Sequence, residues 1–447
     1  MGEGLNLSGV SLTQIRVYYI FVFLSFIYLS FKFRKSTFSL LIIILFYQGL
    51  FSFISKDVQN VYKILLSLFS FYYLVNTKSI KPTRNNEFVF LSFIFFSFTF
   101  FFSSYVNNDY FFIIFSQYSR YFVLFCLFLI LYKYKNDANL KQKIEQVVYI
   151  LLLVQIGLTI VKFLIIGFAE SIVGSIGSQG GALATSLPLL AFMFLWLKKN
   201  GQLQSKEWWI ILGFMFIGFV SIKRAIWFVM PIILALFVFY IPKRRIPQKI
   251  LIFSFFAVPL IFYLGVRFSP TLNREALIGG SFDPKYAFNY ARTYMFGESG
   301  NEKPFTGRGG ATLLLYDKFV KNELSSKDWF GYGLRFIYAT DYEEFEDLNF
   351  GISTKGAATG FFQSYVSSGY IGIIATLLFV FSMMLKIRNN RLKYVIIAFF
   401  CWEYFFYTGI ILREYSLSFL LIYIIIFSNR ELVRTENTKM LNNELRG

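Results

Sequence analysis

The chain has 447 residues, of which 56% are hydrophobic and only 15% are charged, and its formal net charge is +19. Soluble domains carry about 25% charged residues, so this composition excludes an ordinary soluble protein. The chain contains no histidine, which excludes a histidine general base and most zinc sites. Its two cysteines, Cys126 and Cys401, both lie in apolar runs and predict no disulfide.

Apolar blocks rich in Phe, Leu and Ile follow one another along most of the chain. Blocks of this length predict membrane helices, because a backbone in lipid must satisfy its own hydrogen bonds. We predict an all-α polytopic membrane protein of about 12–13 transmembrane helices. The predicted spans lie near residues 15–31, 37–54, 58–76, 88–103, 111–132, 146–167, 182–197, 208–222, 225–241, 250–266, 364–385, 394–411 and 416–428.

Basic residues are distributed unevenly between the loops that connect these spans. One set of alternate loops, together with the C-terminal tail, holds 25 Lys and Arg residues, whereas the opposite short loops hold four. This asymmetry is the positive-inside signal, so the basic excess faces anionic lipid in the cytoplasmic leaflet and does not indicate nucleic acid. It predicts a multi-pass protein of a cytoplasmic membrane with an outside N-terminus and an inside C-terminus.

A long polar segment interrupts the apolar chain. Residues 267–363 contain 11 Lys and Arg and 12 Asp and Glu residues, and the positive-inside rule places this loop outside the cytoplasm. We predict a transmembrane bundle over 1–266, a large external loop with short helices over 267–363, transmembrane helices over 364–429 and a cytoplasmic tail over 430–447.

Motifs for nucleotides and metals are missing from the sequence. It has no P-loop, no dinucleotide fingerprint and no Cys/His cluster, and the predicted cytoplasmic loops are shorter than about 15 residues. We therefore expect no metal, no nucleotide and no other cofactor. Any activated group must then reach the protein from the membrane or from outside.

A few charges lie inside predicted spans, where charge is costly and often functional. They are Arg120, Glu403, Lys63 and Lys162. One interpretation is a structural ion pair between Arg120 and Glu403, and the other is a polar cavity that opens outward. Lys223 and Arg224 lie in a turn at the predicted outer surface, where they either snorkel to headgroups or bind an anion such as a pyrophosphate.

The polar loop contains a series of short motifs. They are Arg292 in Asn-Tyr-Ala-Arg-Thr-Tyr, a Gly-Arg-Gly-Gly helix start at Arg308 before an amphipathic stretch at 311–322, and the aromatic turn Phe330-Gly331-Tyr332-Gly333. A Gly-x-x-Gly pattern from Gly369 to Gly372 then opens the next span. Together with Ser-x-x-Arg ending at Arg224, this order resembles the O-antigen ligase/polymerase superfamily, and most closely its Wzy-type O-antigen polymerases.

The resemblance implies a glycosyltransferase at the periplasmic face of the bacterial inner membrane. Its substrate would be an oligosaccharide linked to undecaprenyl pyrophosphate, and membrane lipids and a chain-length regulator would be its further partners. Arg224 would match the span-end arginine, Arg308 the loop arginine, and Gly331 and Gly333 the loop turn. Lys223, Arg292 and Arg120 complete the predicted pyrophosphate-binding set.

The acceptor's base is less well defined by the sequence. A carboxylate would deprotonate or orient the acceptor hydroxyl, and the candidates are Asp341, Glu298 and Asp283, with Asp341 placed in the catalytic set beside Arg224 and Arg308. Ligases of the superfamily commonly carry a histidine near the position of residues 355–363, and this chain has none. The polymerase is therefore favoured, with an O-antigen ligase and a flippase for lipid-linked oligosaccharides as alternatives.

Overall fold

The structure is a computed structural model that describes most of the chain. The described residues are 12–77, 86–169, 172–177, 182–221, 224–243, 245–269, 272–296, 308–321, 324–334 and 359–428. Within these ranges every regular element is helical and none is a strand. The all-α prediction is therefore confirmed for this part of the chain.

The N-terminal bundle follows the predicted apolar blocks. Its helices are α1 (Leu12–Lys32), α2 (Thr37–Phe46), α3 (Gln48–Ile54), α4 (Lys56–Asn76), α5 (Glu87–Val106), α6 (Phe111–Lys133), α7 (Ala138–Ile166), α8 (Leu183–Lys198), α9 (Ser205–Val220), α10 (Arg224–Ala235), which continues as a π-helix over Leu236–Tyr240, and α11 (Gln248–Phe268).

The polar loop contributes short helices, and the chain then returns to apolar helices. These elements are α12 (Pro284–Phe296), α13 (Arg308–Val320), α14 (Ser326–Phe330), α15 (Gly360–Met384), α16 (Asn390–Cys401), a π-helix (Trp402–Phe406), a 3-10 turn (Ile410–Leu412) and α17 (Tyr415–Ser428). The helix predicted near 311–322 is thus present and begins at Arg308.

Membrane-crossing capacity differs among these helices. Among the described residues, five helices are long and apolar enough to cross a membrane: α1, α5, α6, α7 and α15. The bent pair α2–α3 makes a sixth if it is one span. Apolar helices such as α8 and α17 are shorter. Length and composition thus agree with a polytopic α-helical membrane protein.

The bend between α2 and α3 has a clear local cause. The two helices meet at 57° around Tyr47, and the break frees the carbonyl of Phe46. The Ser175 hydroxyl donates to that carbonyl (2.8 Å), and the Ser175 carbonyl accepts from the Gly49 amide (2.9 Å). Gln155 of α7 holds Ser175 from the other side through both ends of its side-chain amide. The residues around 175 therefore replace the missing helix bonds.

Two ends of the bundle are distinguished by their residues. At one end, Arg34 and Lys143 border a common pocket, and Lys199 pairs with Glu207. We call this the basic end. At the other end, the turn at 107–110 between α5 and α6 contacts the segment 325–334, and we call this the loop end.

A substitution at Ser175 tests whether its hydrogen bonds stabilise the bend between α2 and α3. We expect Ser175→Ala to destabilise the protein by about 1–3 kcal/mol, because it leaves the buried Phe46 carbonyl and the Gln155 amide unsatisfied. The measurement is thermal unfolding of the full chain in detergent. Ser52→Ala is the control, since Ser52 bonds only the Gln48 carbonyl of its own helix and should change stability by less than about 0.5 kcal/mol. Equal losses in both variants would refute the role of Ser175.

Candidate anion-binding site

A partly open cleft lies at the loop end, between α6, α15 and the residues after the 402–406 π-helix. Its cavity volume is about 40 Å³, which is room for a few water molecules or one phosphate-sized group. A longer ligand would extend beyond it. The residues that line the cleft are Phe100, Gln117, Arg120, Tyr121, Leu334, Gly360, Gln363, Ser364, Ser367, Tyr404, Gly409, Leu412 and Arg413.

Positive charge dominates the described surroundings of this cleft. Arg120 of α6 and Arg413 line the cleft directly. Arg120 donates from Nη1 to Gln117 Oε1 (3.1 Å), and its buried Nε has no hydrogen-bond partner among the described residues. Lys63 of α4 is 2% exposed and donates to the Ser116 hydroxyl (2.6 Å), one turn of α6 from Arg120. Its charge acts on Arg120 and Arg413 through a poorly solvated interior.

One carboxylate accompanies these cations. Glu414 interacts electrostatically with Arg120, Arg413 and Lys63. Its Oε2 atom is buried and accepts no hydrogen bond from the residues that the structure describes. Counting Lys63, Arg120, Arg413 and Glu414, the described cluster has a formal net charge of +2. Such a cluster attracts an anion and leaves a carboxylate oxygen available for a proton or a hydroxyl.

The segment 325–334, which we call the wall, reaches the cleft through Leu334 and is docked on α15. The amides of Tyr332 and Gly333 donate to the Val366 carbonyl (2.7 and 3.2 Å), and the Leu334 amide donates to Asp109 (2.8 Å). Gly331 and Gly333 have φ values of +92° and +107°, which strain any residue with a Cβ. A Cβ at Gly331 would also lie 2.6 Å from the Ser367 carbonyl carbon. The predicted glycine turn is therefore a docking contact.

The carboxylate of Asp328 holds the segment 325–334 in place through several hydrogen bonds. Its carboxylate is 2% exposed, and it accepts hydrogen bonds from the Tyr365 hydroxyl, from Tyr332 (3.1 Å) and from the amide and hydroxyl of Ser325 (2.7 Å each), with Lys318 at 3.5 Å. Burial alone would raise the pKa of Asp328, but the bonds from Tyr365 and Ser325 and the Lys318 charge outweigh it and lower the pKa to about 2. The carboxylate is thus saturated and structural.

Helix α15 is broken where the wall docks. Gly369 lies inside the helix with φ +65° and ψ −165°, and a Cβ there would overlap the backbone of Trp329. Helix α15 begins at Gly360, and the non-helical backbone at Gly369 separates its first turns from the longer stretch that follows. The Gly369–Gly372 pattern opens that longer stretch, and its role as a span entrance stays a prediction. The turns before the break carry Gln363, Ser364 and Ser367 into the cleft.

The cleft's other wall depends on a close approach of two backbones. Gly409 has φ +61°, and a Cβ on it would lie 2.7 Å from the Cα of Gly360. Its amide donates to the carbonyl of Glu403 within the π-helix (2.7 Å). The chain therefore turns at Gly409 against the start of α15, and this turn brings Arg413 to the cleft.

The predicted site residues have different positions in the structure. Arg120 lies in the cleft, whereas Arg292 is exposed on α12 and does not line it. The side chains of Arg224 and Arg308 lie outside the described part of the structure, although α10 and α13 begin at these residues. Lys223 and Asp341 lie wholly outside the described residues.

One sequence interpretation needs correction. The ion pair considered for Arg120 and Glu403 is not formed: Arg120 bonds Gln117, and buried Glu403 accepts a hydrogen bond from Ser186 of α8. Glu403 lies in the 402–406 π-helix and contacts α8 through this bond. Asp283, considered as a base, caps α12 and pairs with exposed Arg274 (2.8 Å).

Sequence reasoning did not place Arg413, Glu414 and Gln363 in the site. Arg413 is one of the four basic residues in the opposite short loops, and an Arg-Glu pair between two apolar blocks is itself an unusual signal at a short turn. Gln363 and Ser364 gave no signal beyond their polarity. Within the described residues, no group of three or more His, Cys, Asp or Glu is placed to hold a metal ion.

Comparison of the chain with protein-family models, with curated proteins and with solved structures finds no match.

Asp328 tests the docked wall. We expect Asp328→Ala to loosen the segment 325–334 by about 3 kcal/mol, because it removes the acceptor of several buried donors. Hydrogen exchange at the amides of Tyr332 to Leu334 measures this. The control is Asp317→Ala, which removes an exposed carboxylate paired only with Lys321.

The same carboxylate sets a pH dependence for the wall. The pKa of Asp328 is lowered to about 2 in the folded chain, below the unfolded value of about 3.9. Its contribution is therefore complete above about pH 4 and is lost as the pH falls toward 2. Protection of the Tyr332 and Gly333 amides should follow this window in the native chain and be independent of it in Asp328→Asn.

Proposed function

We propose that this chain is a polymerase that joins undecaprenyl-pyrophosphate-linked oligosaccharide repeat units into O-antigen or a related surface polysaccharide. The observation that carries the proposal is the cleft lined by Arg120 and Arg413, whose charges, together with that of Lys63, outweigh the neighbouring carboxylate of Glu414. A pyrophosphate is the anion whose charge and geometry suit two nearby arginines. The order of motifs in the polar loop points to the same substrate class.

The proposed topology places this cleft on the correct side of the membrane. With about 12–13 transmembrane helices, the positive-inside asymmetry assigns the basic end to the cytoplasm and the loop end to the periplasm. The residues 267–363 then form a large periplasmic loop above the bacterial inner membrane. A lipid-linked pyrophosphate would sit at headgroup level in the same membrane, within reach of a cleft at the loop end.

The proposed reaction needs no metal and no nucleotide. The acceptor hydroxyl oxygen attacks the anomeric carbon of the donor, and the bond from that carbon to the pyrophosphate oxygen breaks. The bonding electrons leave with the carrier pyrophosphate, and the hydroxyl proton passes to a carboxylate. The leaving oxygen gains negative charge in the transition state, so nearby cations lower the barrier, by several kcal/mol each in a dry site.

Each described side chain at or beside the cleft has its own proposed role in this reaction. Arg120 and Arg413 would contact the pyrophosphate, and Lys63, bound to Ser116, would contribute through its charge. Glu414 would take the acceptor proton, because its Oε2 has no hydrogen-bond partner among the described residues. Arg224, Arg308 and Asp341 remain part of the proposal from the motif resemblance, closing the site from the turn and the loop. The small cavity leaves the sugars outside, along Gln363 and Leu334.

The two cleft arginines test the site in cells. In a deletion strain complemented with Arg120→Ala or Arg413→Ala, we expect lipopolysaccharide with core plus one repeat, since each change removes transition-state stabilisation of about 3 kcal/mol. Gel banding measures this at matched protein levels. Arg16→Ala is the control, because Arg16 is an exposed arginine of α1 outside the cleft, and it should restore long chains.

The deletion strain also separates the alternatives. Bare core with long polymer on the lipid carrier would identify a ligase and contradict the proposal. Bare core with no polymer outside the cytoplasm would identify a flippase. Long chains in both arginine variants would leave the cleft without a role in the reaction.

Glu414 tests the assignment of the base. With purified protein in vesicles and a lipid-linked repeat as substrate, Glu414→Gln should slow polymer formation by about 10²–10⁴-fold, because a general base is lost. Binding of the carrier pyrophosphate should persist, since all three cations remain. Asp57→Asn, at an exposed position in the first turn of α4, is the control. Wild-type rates in Glu414→Gln would exclude this base, and weakened carrier binding would assign Glu414 a structural role.

A further inference from the structure

A second cavity lies at the basic end of the bundle, far along the helices from the cleft. It is formed by the turn between α1 and α2 together with the first turns of α7, and its volume is about 460 Å³. This is more than ten times the volume of the cleft and lies in the range of small-molecule sites. The proposed polymerase reaction gives it no role.

Cations border this cavity without acidic neighbours in its lining. Lys32, Arg34, Lys35 and Lys143 all line it, and none of the residues that line it is Asp or Glu. Other basic residues at this end behave differently, since Lys141 pairs with Glu145 (3.4 Å) and Lys199 with Glu207 (3.2 Å). No ion pair to the four cavity cations is found within the part of the chain that the structure describes. The cavity therefore concentrates uncompensated positive charge.

Neutral donors complete the polar lining. Ser36 caps α2, and its hydroxyl oxygen accepts hydrogen bonds from the amide and hydroxyl of Ser39 (3.3 and 2.9 Å). The proton of the Ser36 hydroxyl is thus available to an incoming oxygen. Gln146 of α7 adds an exposed side-chain amide. Cations with hydroxyl and amide donors suit a phosphate group that carries polar substituents.

The surface next to the cavity is apolar. On α1, Leu24, Tyr28 and Phe31 are 56%, 63% and 65% exposed, and Phe31 itself lines the cavity. This exposed strip runs along a helix long enough to cross a membrane and ends at Lys32 and Arg34. A ligand with a phosphate at one end and acyl chains at the other matches both parts, whereas a free phosphate uses only the first.

From this combination we propose that the cavity between the α1–α2 turn and α7 binds the headgroup of an anionic phospholipid whose acyl chains lie along α1. Basic pockets between membrane helices at the cytoplasmic side are suited to such headgroups. The site is independent of the proposed polymerase reaction. It attaches the lipid to α1, α2 and α7, and Ser175 joins the last two of these at the bent helix pair.

Native mass spectrometry of the full chain released from detergent tests the site, with phosphatidylglycerol and phosphatidylcholine as probes. We expect phosphatidylglycerol to be retained preferentially. The triple variant Lys32→Gln, Arg34→Gln, Lys143→Gln should lose that preference by on the order of tenfold or more. The matched control is Lys206→Gln, Arg245→Gln, Lys249→Gln, which removes the same number of exposed basic residues outside the cavity and should keep it.

Each other outcome contradicts the proposal in a distinct way. Equal retention of the two lipids by the native chain would show that the cavity does not select anionic headgroups. Equal losses in both triple variants would assign the preference to general surface charge. Displacement of phosphatidylglycerol by millimolar inorganic phosphate would identify a free-phosphate site. Thermal unfolding of both triple variants, compared with the native chain, separates loss of the site from loss of the fold.

Discussion

Positive charge held inside an apolar helical bundle is the constraint on which the loop end depends. Lys63 is buried and Arg120 is half-buried among aromatic helices, and an uncompensated charge in such a place is expensive. The structure reduces this cost with Ser116, Gln117 and the carboxylate of Glu414, but it does not neutralise the cluster within the described residues. A bound anion would compensate the remaining positive charge. The cations that destabilise the fold are therefore the residues that favour anion binding.

Backbone irregularities meet at this cluster. Gly369 interrupts α15, the π-helix precedes a left-handed turn at Gly409, and the segment 331–334 adds its amides to α15 from outside. In lipid, non-helical backbone is tolerated only where protein buries it or where it lines a cavity. The break at Gly409 lines the cleft, and the break at Gly369 is covered by the backbone of Trp329.

Apolar block length was enough to predict the helices, because a membrane leaves the backbone few alternatives. The same reasoning singled out Arg120, since a mid-span arginine is informative by itself. It could not find the partners of Arg120. Glu403 lies in a π-helix and forms a hydrogen bond with Ser186 of α8. A π-helix has more residues in a turn than an α-helix, and nothing in an aromatic block of the sequence indicates where one occurs. The motif-based residues Arg224, Arg308 and Asp341 depend on the resemblance and stay predictions.

The two ends of the bundle use cations in opposite ways, and the difference follows from burial. At the loop end, Arg120 in a narrow cleft and Lys63 buried beside it are held by short polar contacts, which suits an ion that must be positioned to react. At the basic end, Lys32 and Lys143 are exposed around a wide cavity, which suits a headgroup that only needs to be retained. Salt should therefore weaken the second interaction far more than the first, because screening acts mainly on exposed charges.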